Sequence, residues 1–317
     1  MLRFLRSLCL KALLQFILAQ NHRPIAPPSH HKAIVACRSQ MADWRPMLNR
    51  REGGFPRIMG VVNVTPDSFH ADSRSPDGAR AASVAAAMVE EGASWIDVGG
   101  ESTRPGAESV SIGGELGRVI PAIEEIRAEL PDVCISVDTR RAEVARKSLE
   151  AGADMINDVS ALGDPGMAEV ILDYECPVCL MHMKGLPENM QENPRYGDVV
   201  GEVRDALSDA SKHLINSGAE PSSIIVDPGI GFGKTLEHNL ALLSAGTEVV
   251  PLEGMPLMWG VSRKSMFRDL LGREYSGERL AGSLGVAAMA PEKGVDIIRV
   301  HDVADHSDLY TAMSALR

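Results

Sequence analysis

A chain of 317 residues, 44% hydrophobic and 24% charged, has the make-up of an ordinary soluble globular protein and the length of one large domain or two modest ones. A net charge of −11 with only 4% aromatic residues stands against a nucleic-acid binder, which needs a basic face and stacking platforms. No uninterrupted apolar run approaches the roughly 18–20 residues of a membrane span, and five cysteines make no disulfide framework in a chain this long.

The charge divides the chain. Residues 1–57 carry ten Lys/Arg and two Asp/Glu, so that 22 of the 32 basic and 41 of the 43 acidic residues fall in 58–317. The start, "MLRFLRSLCLKALLQFILAQ", has the Arg-rich, acid-poor character of an organelle presequence. Lys11 interrupts its apolar stretch and no small-residue cleavage site stands out, which speaks against a secretory signal. A fusion remnant or misassigned start is the plainer reading. Residues 1–57 are therefore expected to form a basic extension, poorly ordered or partly helical, and too short to bury a core of its own.

From residue 58 short apolar runs alternate with longer segments of 3.6-residue period. In chain order the runs are "IMGVVN", "WIDVG", "CISVDT", "DMIND", "PVCLMH", "SIIVDP", "PLMWGVS" and "DIIRVHD". Helical stretches are expected between and after them, at 77–92, 115–130, 140–151, 165–174, 197–217, 237–245, 264–290 and 303–316. Eight β/α units in some 260 residues predict a single TIM (β/α)8 barrel over 58–317. A doubly wound sheet is the alternative, because alternation alone does not show closure. "CPVC", Cys176 to Cys179, has redox spacing, but residues three apart on a strand face opposite sides, so both thiols are read as buried core.

Nearly every apolar run ends in a polar residue: Asn63, Asp97, Asp138, Asn157, His182, Asp227, Ser262, and Arg299 with His301. One such residue is a helix cap; eight on one rim are a site, since barrel strands converge at their C-terminal ends. Asp138, Asn157, Asp227 and Lys264 offer the donors and acceptors that a flat, amide-bearing heterocycle requires. Asn63, Arg299 and His301, on strands one and eight, suit a phosphate or diphosphate, with "SRKS" (262–265) adding donors beside them. The run "VDPGIGFGK" (226–234) lacks P-loop spacing and is read as backbone kept bare so that a ring can approach Asp227. Trp95 and Trp259 are expected in the barrel core, while Glu101 and Arg263 are read as cap or ion-pair residues.

The motifs "MGVVNVTPDSF" (59–69), "GGESTRPGA" (99–107), "SVDTRRAEVA" (136–145), "INDVSA" (156–161), "MHMKG" (181–185), "VDPGIGFGKT" (226–235), "GVSRKS" (260–265) and "IIRVHDV" (297–303) occur in order and span 58–317. Together they resemble the dihydropteroate synthases, pterin-binding barrels of folate biosynthesis. The resemblance implies condensation of 6-hydroxymethyl-7,8-dihydropterin diphosphate with para-aminobenzoate, giving 7,8-dihydropteroate and pyrophosphate by dissociative substitution. It implies Asp138, Asn157, Met181, Asp227 and Lys264 around the pterin, and Asn63, Arg299 and His301 around the diphosphate. Asn63 would also meet Mg2+. Phe69, Thr103, Arg104, Pro105 and Ser265 would frame aminobenzoate, and Asp138, Lys264, Arg299 and His301 would carry the chemistry. A cytoplasmic homodimer, with sulfonamides competing for the aminobenzoate site, is implied as well.

One departure stands beside Phe69. The family usually continues Ser-Asp-Gly-Gly where this chain reads "HADSRS", His70 to Ser75. Losing two glycines stiffens or redirects that loop, as a mobile sulfonamide-resistant synthase would require; a housekeeping enzyme is the other reading. Two further functions compete: a methyltetrahydrofolate–corrinoid methyltransferase, which needs no diphosphate pocket, and a catalytically silent folate-pathway binding protein.

Overall fold

The computed structural model describes residues 42–65, 77–102, 109–185 and 189–317. Strands and helices alternate: β1 (Arg57–Asn63), α1 (Asp77–Glu90), β2 (Trp95–Gly99), α2 (Ile112–Glu129), β3 (Cys134–Asp138), α3 (Ala142–Glu150), β4 (Met155–Asp158) and α4 (Met167–Tyr174). The second half continues with β5 (Val178–Met181), α5 (Val199–Asn216), β6 (Ile224–Asp227), α6 (Leu236–Ala245), β7 (Met258–Gly260), α7 (Met266–Leu271), α8 (Leu280–Met289), β8 (Ile297–Val300) and α9 (Val303–Ala315). Three helices begin where short polar side chains replace missing partners for the first amide groups. Ser111 Oγ accepts from Gly114 N, Asp198 Oδ1 accepts from Gly201 N, and Thr235 forms a reciprocal capping box with His238.

All eight strands pair in parallel in the order β6-β5-β4-β3-β2-β1-β8-β7. A bridge between Val226 and Leu257, with Val226 N donating to Pro256 O at 2.9 Å, joins the two edges. This is the TIM barrel expected from the alternation. The segment expected as one helix over 264–290 is instead two. Gly272, at φ +66°, ends α7 by donating its N–H to Arg268 O, a left-handed stop that breaks the helical run.

One side chain from each strand fills the barrel's interior: Met59, Trp95, Cys134, Met155, Cys179, Ile225, Met258 and Ile297 form a single buried cluster. The intervening residues face outward, where Trp259, Ile96 and Ile135 join the layer beneath the helices. Cys176 lies in that outer layer and Cys179 in the interior, both buried. No helix among the described residues is long and apolar enough to cross a membrane.

The described part of the expected appendage, residues 42–56, packs under the barrel. Trp44 and Leu48 join the interior cluster from its N-terminal end. Trp95 Nε1 donates to Met47 O at 2.9 Å, Ala42 N donates to Asp154 Oδ1 at 2.8 Å, and the Arg57 guanidinium reaches the carbonyls of Pro46 and Asn49. An open barrel floor would leave the Trp95 indole and its neighbours wet, so this segment serves as the missing cover. Trp44→Ala should lower the unfolding free energy by about 3 kcal/mol, read from the denaturant midpoint. A change below about 0.5 kcal/mol, the size of an ordinary surface substitution, would make the segment a bystander.

Candidate active site

Side chains alternate on a strand, so the residue two positions past each member of the apolar interior ring also points inward, one layer nearer the mouth. That second ring is Val61, Asp97, Ser136, Asn157, Met181, Asp227, Gly260 and Arg299. Asp97, Ser136, Asn157, Asp227 and Arg299 make this ring mostly polar, one step of the pleat above an apolar one. Asn63, Gly99, Asp138 and His301 follow as the outermost layer. A side chain built at Gly99 would touch both Asn63 Oδ1 and the Asp138 carboxylate, so the absence of one leaves those two groups facing each other.

Arg299 is the centre of this assembly. Its Nε donates to Asp97 Oδ2 at 2.6 Å and its Nη2 to Asp138 Oδ2 at 2.8 Å. The sequence reading put Arg299 with the diphosphate group and Asp138 with the heterocycle group; the guanidinium joins the two. Asp97 is fully buried and also accepts from Asn157 Nδ2 at 3.3 Å. Burial is the largest influence on Asp138 and pushes its carboxyl up to about 7; Arg299 opposes it and Asp97 reinforces it. Arg299 itself is held above its ordinary range, because the attraction of Asp97 and Asp138 outweighs its burial.

On β6, Asp227 Oδ1 accepts from Gly229 N at 2.7 Å, and its main-chain oxygen accepts from His182 N at 3.0 Å. Burial raises its carboxyl pKa, against the Gly229 hydrogen bond and the charge of Lys264. Lys264 Nζ stands 4.1 Å from the ring centroid of Phe232. Burial lowers its ammonium to about 8, with Asp227 and Asp138 holding it up. Met181 packs with Val159, Met190 and Phe232 in a small apolar cluster. A slot edged by carboxylates and an amide, with methionine and phenylalanine beside it, suits a flat polar ring.

His301 is fixed by Ser262, whose Oγ accepts from His301 N and lies 3.1 Å from His301 Nδ1. Ser265 is exposed at the start of α7. Phe69, Thr103, Arg104 and Pro105 lie outside the described residues, as does the His70–Ser75 run. Arg263 forms an ion pair with Asp302, and Glu101 pairs with Arg140 and Arg141 while accepting from Val110 N. Both are accordingly structural.

Two of the turn's glycines are required by the chain packed against it. A Cβ on Gly229 would stand 1.9 Å from His182 O, and one on Gly233 would stand 2.3 Å from Lys184 O. Both residues also have positive φ, +68° and +62°. The turn is bare because the segment after β5 lies directly against it. Only Gly231, whose Cβ would meet Lys264 at 3.4 Å, borders the mouth from this turn.

The pterin binding enzyme family matches residues 59–301. The dihydropteroate synthase of Neisseria meningitidis serogroup C is 45% identical over 264 residues, 82% of this chain and 93% of that protein. The chain belongs to the dihydropteroate synthase family. Among solved synthases of this family, one from Xanthomonas albilineans with 4-aminobenzoic acid superposes with a TM-score of 0.77 at 42% identity, over 83% of this chain and 93% of that one. A Yersinia pestis dihydropteroate synthase with a sulfonamide drug gives 0.77 at 40% identity, over 84% and 96%.

Two residues of the dihydropteroate synthase mouth were not singled out for it from the sequence. Asp97 stood among the strand-end residues without a role; its position two past buried Trp95 is the signal that places it inward. Phe232, between two glycines, had no local signal, because its contact with Lys264 spans two loops.

Proposed function

We propose that this protein is a dihydropteroate synthase, joining 6-hydroxymethyl-7,8-dihydropterin diphosphate to para-aminobenzoate with release of pyrophosphate. The observation that carries the reading is the Arg299 guanidinium held between Asp97 and Asp138 beside Asn63 and His301, with Asp227 and Lys264 at the same mouth. The guanidinium and imidazole suit a leaving polyanion, and the carboxylates and amide a ring rich in N–H groups. Asp227 accepts pterin N–H donors, Asn157 and Lys264 bind the remaining ring atoms, and Met181 packs on its face.

In the reaction the bond between the pterin methylene and the diphosphate oxygen breaks, and the electron pair leaves with pyrophosphate. Arg299 and His301 receive that charge. The methylene cation left behind is favoured by the Asp138 carboxylate, and the aminobenzoate nitrogen attacks it and loses a proton. A weakly basic arylamine needs no strong general base, and none is assigned. Ser265 and the loop residues Phe69, Thr103, Arg104 and Pro105 are proposed to frame the arylamine.

Mg2+ fits this site. Asn63 offers one amide oxygen beside Asp138, and no cluster of three His, Cys, Asp or Glu stands among the described residues. That sparse set suits a cation that keeps most of its waters and takes substrate phosphate oxygens. When bound, Mg2+ supplies positive charge to the diphosphate.

The two shifted groups give a pH profile. Asp138 must be ionised to favour the methylene cation, so kcat/KM should rise through about 7, and Lys264 must be protonated, so it should fall above about 8. Asp138→Asn should abolish the acid limb. A wild-type profile flat between pH 6 and 9 would remove both roles (the interval is about one unit either side of the two values).

We further propose a homodimer and a cytoplasmic setting. Ala281, Gly285 and Met289 on α8, with Leu270 and Leu271 on α7, are small or apolar residues left exposed that a second copy would cover. Light scattering that gives a monomer at micromolar concentration would remove the dimer. Sulfonamides are proposed as competitors of aminobenzoate, with the "HADSRS" departure as the determinant of a resistant form.

The deciding experiment is pyrophosphate release by the full chain with both substrates and Mg2+, titrated with sulfamethoxazole. Aminobenzoate-dependent release is expected. Release that persists at high drug supports the resistant form; release that is readily blocked removes it. No release by folded protein would return the methyltransferase and the silent binder.

A further inference from the structure

Lys234, at the end of the glycine-rich turn, is 3% exposed, and none of the ion pairs among the described residues includes it. Burying an ammonium is costly unless its donors are met, so a lysine here must be held by specific acceptors. It is held by three. Nζ donates to Phe232 O at 3.0 Å and to His182 O at 3.3 Å, and lies 3.0 Å from His182 Nδ1. Burial lowers its pKa to about 7, while the charge of Asp227 opposes the shift. Burial, with Lys234 adding, keeps the His182 imidazole neutral, so that Nδ1 can accept.

The acceptors belong to two separate segments, and each continues into the mouth. His182 follows Met181 and donates its N–H to the main-chain oxygen of Asp227. Phe232 presents its ring to Lys264, and its N–H donates to Gly229 O at 3.0 Å. Gly229 in turn donates to the Asp227 carboxylate. The two segments pack with no room for a single Cβ between Gly229 and His182. These contacts lead from Lys234 to Asp227, Lys264 and Met181 and not to Asn63, Arg299 or His301.

We propose that Lys234 is a positioning residue for the pterin half of the site, tying the segment after β5 to the glycine-rich turn so that Asp227 and Lys264 face the ring. It touches no substrate. This rests on the pterin reading of the mouth given above. A buried anchor with only a stabilising role would lower the unfolding midpoint and leave pterin and pyrophosphate binding equally affected or equally untouched. A positioning role separates them.

The test uses the full chain and Lys234→Met, which keeps the length and apolar stem and removes the three donors. Binding of 6-hydroxymethyl-7,8-dihydropterin diphosphate and of pyrophosphate alone is measured by calorimetry without aminobenzoate. We expect the pterin diphosphate Kd to rise at least about tenfold, since small misplacements at a site are costly, with the pyrophosphate Kd within about twofold. Pterin diphosphate binding equal to wild type, or equal losses for both ligands, would overturn the proposal. Should Lys234→Met fail to fold, Lys234→Arg decides. Its longer head pushes the His182 and Phe232 carbonyls apart while keeping the charge, and an unchanged pterin Kd would again overturn it. Wild-type protein that binds no pterin would sink the functional reading and this inference together; wild-type binding with unaffected variants sinks the inference alone.

Discussion

Arg299→Met should lower kcat/KM by about a thousandfold, the size of loss seen when one preorganised charge donor is removed from a transition state. It should also lower the unfolding free energy by about 3–5 kcal/mol, because two buried carboxylates lose their cation. The two effects have one cause. Asp97 is fully buried and Asp138 nearly so, and both direct a carboxylate oxygen at the same guanidinium. Removing it leaves like charges facing each other in a poorly solvated space, so one carboxyl must take up a proton. Arg299→Lys separates stability from chemistry. An ammonium keeps the charge but cannot form the fork that reaches both Asp97 and Asp138, so more stability than rate should be recovered. Steady-state kinetics beside urea unfolding checks this. A methionine variant within tenfold of wild type in kcat/KM would remove Arg299 from the reaction and leave it a structural cation.

Asp227→Asn should raise the pterin KM by at least about a hundredfold, since hydrogen bonds to a charged group contribute about 1.5–3 kcal/mol each and a pterin edge offers more than one N–H. The fold should tolerate the change. Asparagine has nearly the same volume, and its oxygen can still accept from Gly229 N, the one hydrogen bond shown for the side chain. Its amide nitrogen, however, would present donors to donors. Equal binding of the pterin by wild type and variant, measured by calorimetry, would place the ring elsewhere and return the diphosphate-free alternatives.

The barrel was legible because its signals are local. A strand buried on both faces reads as an apolar run, and a covering helix repeats every 3.6 residues. Eight repeats of that unit carried the fold, and the polar residue closing each run marked the mouth. A single glycine, Gly272, divides a helix whose apolar pattern continues through it, and the segment after β5, distant in sequence, constrains two glycines of the glycine-rich turn.

The sequence by itself determined which residues stand at the strand ends, and so the chemistry available at the mouth: carboxylates, an amide, a lysine, an arginine and a histidine. Only the tertiary structure decided how these groups are partnered. Arg299 meets Asp97 across 202 residues of chain and Asp138 across 161, and Lys234 meets His182 across 52. Periodicity reports which face of a strand a residue occupies. It is silent on which strands adjoin once a sheet closes, and the pairing of buried charges depends on that closure.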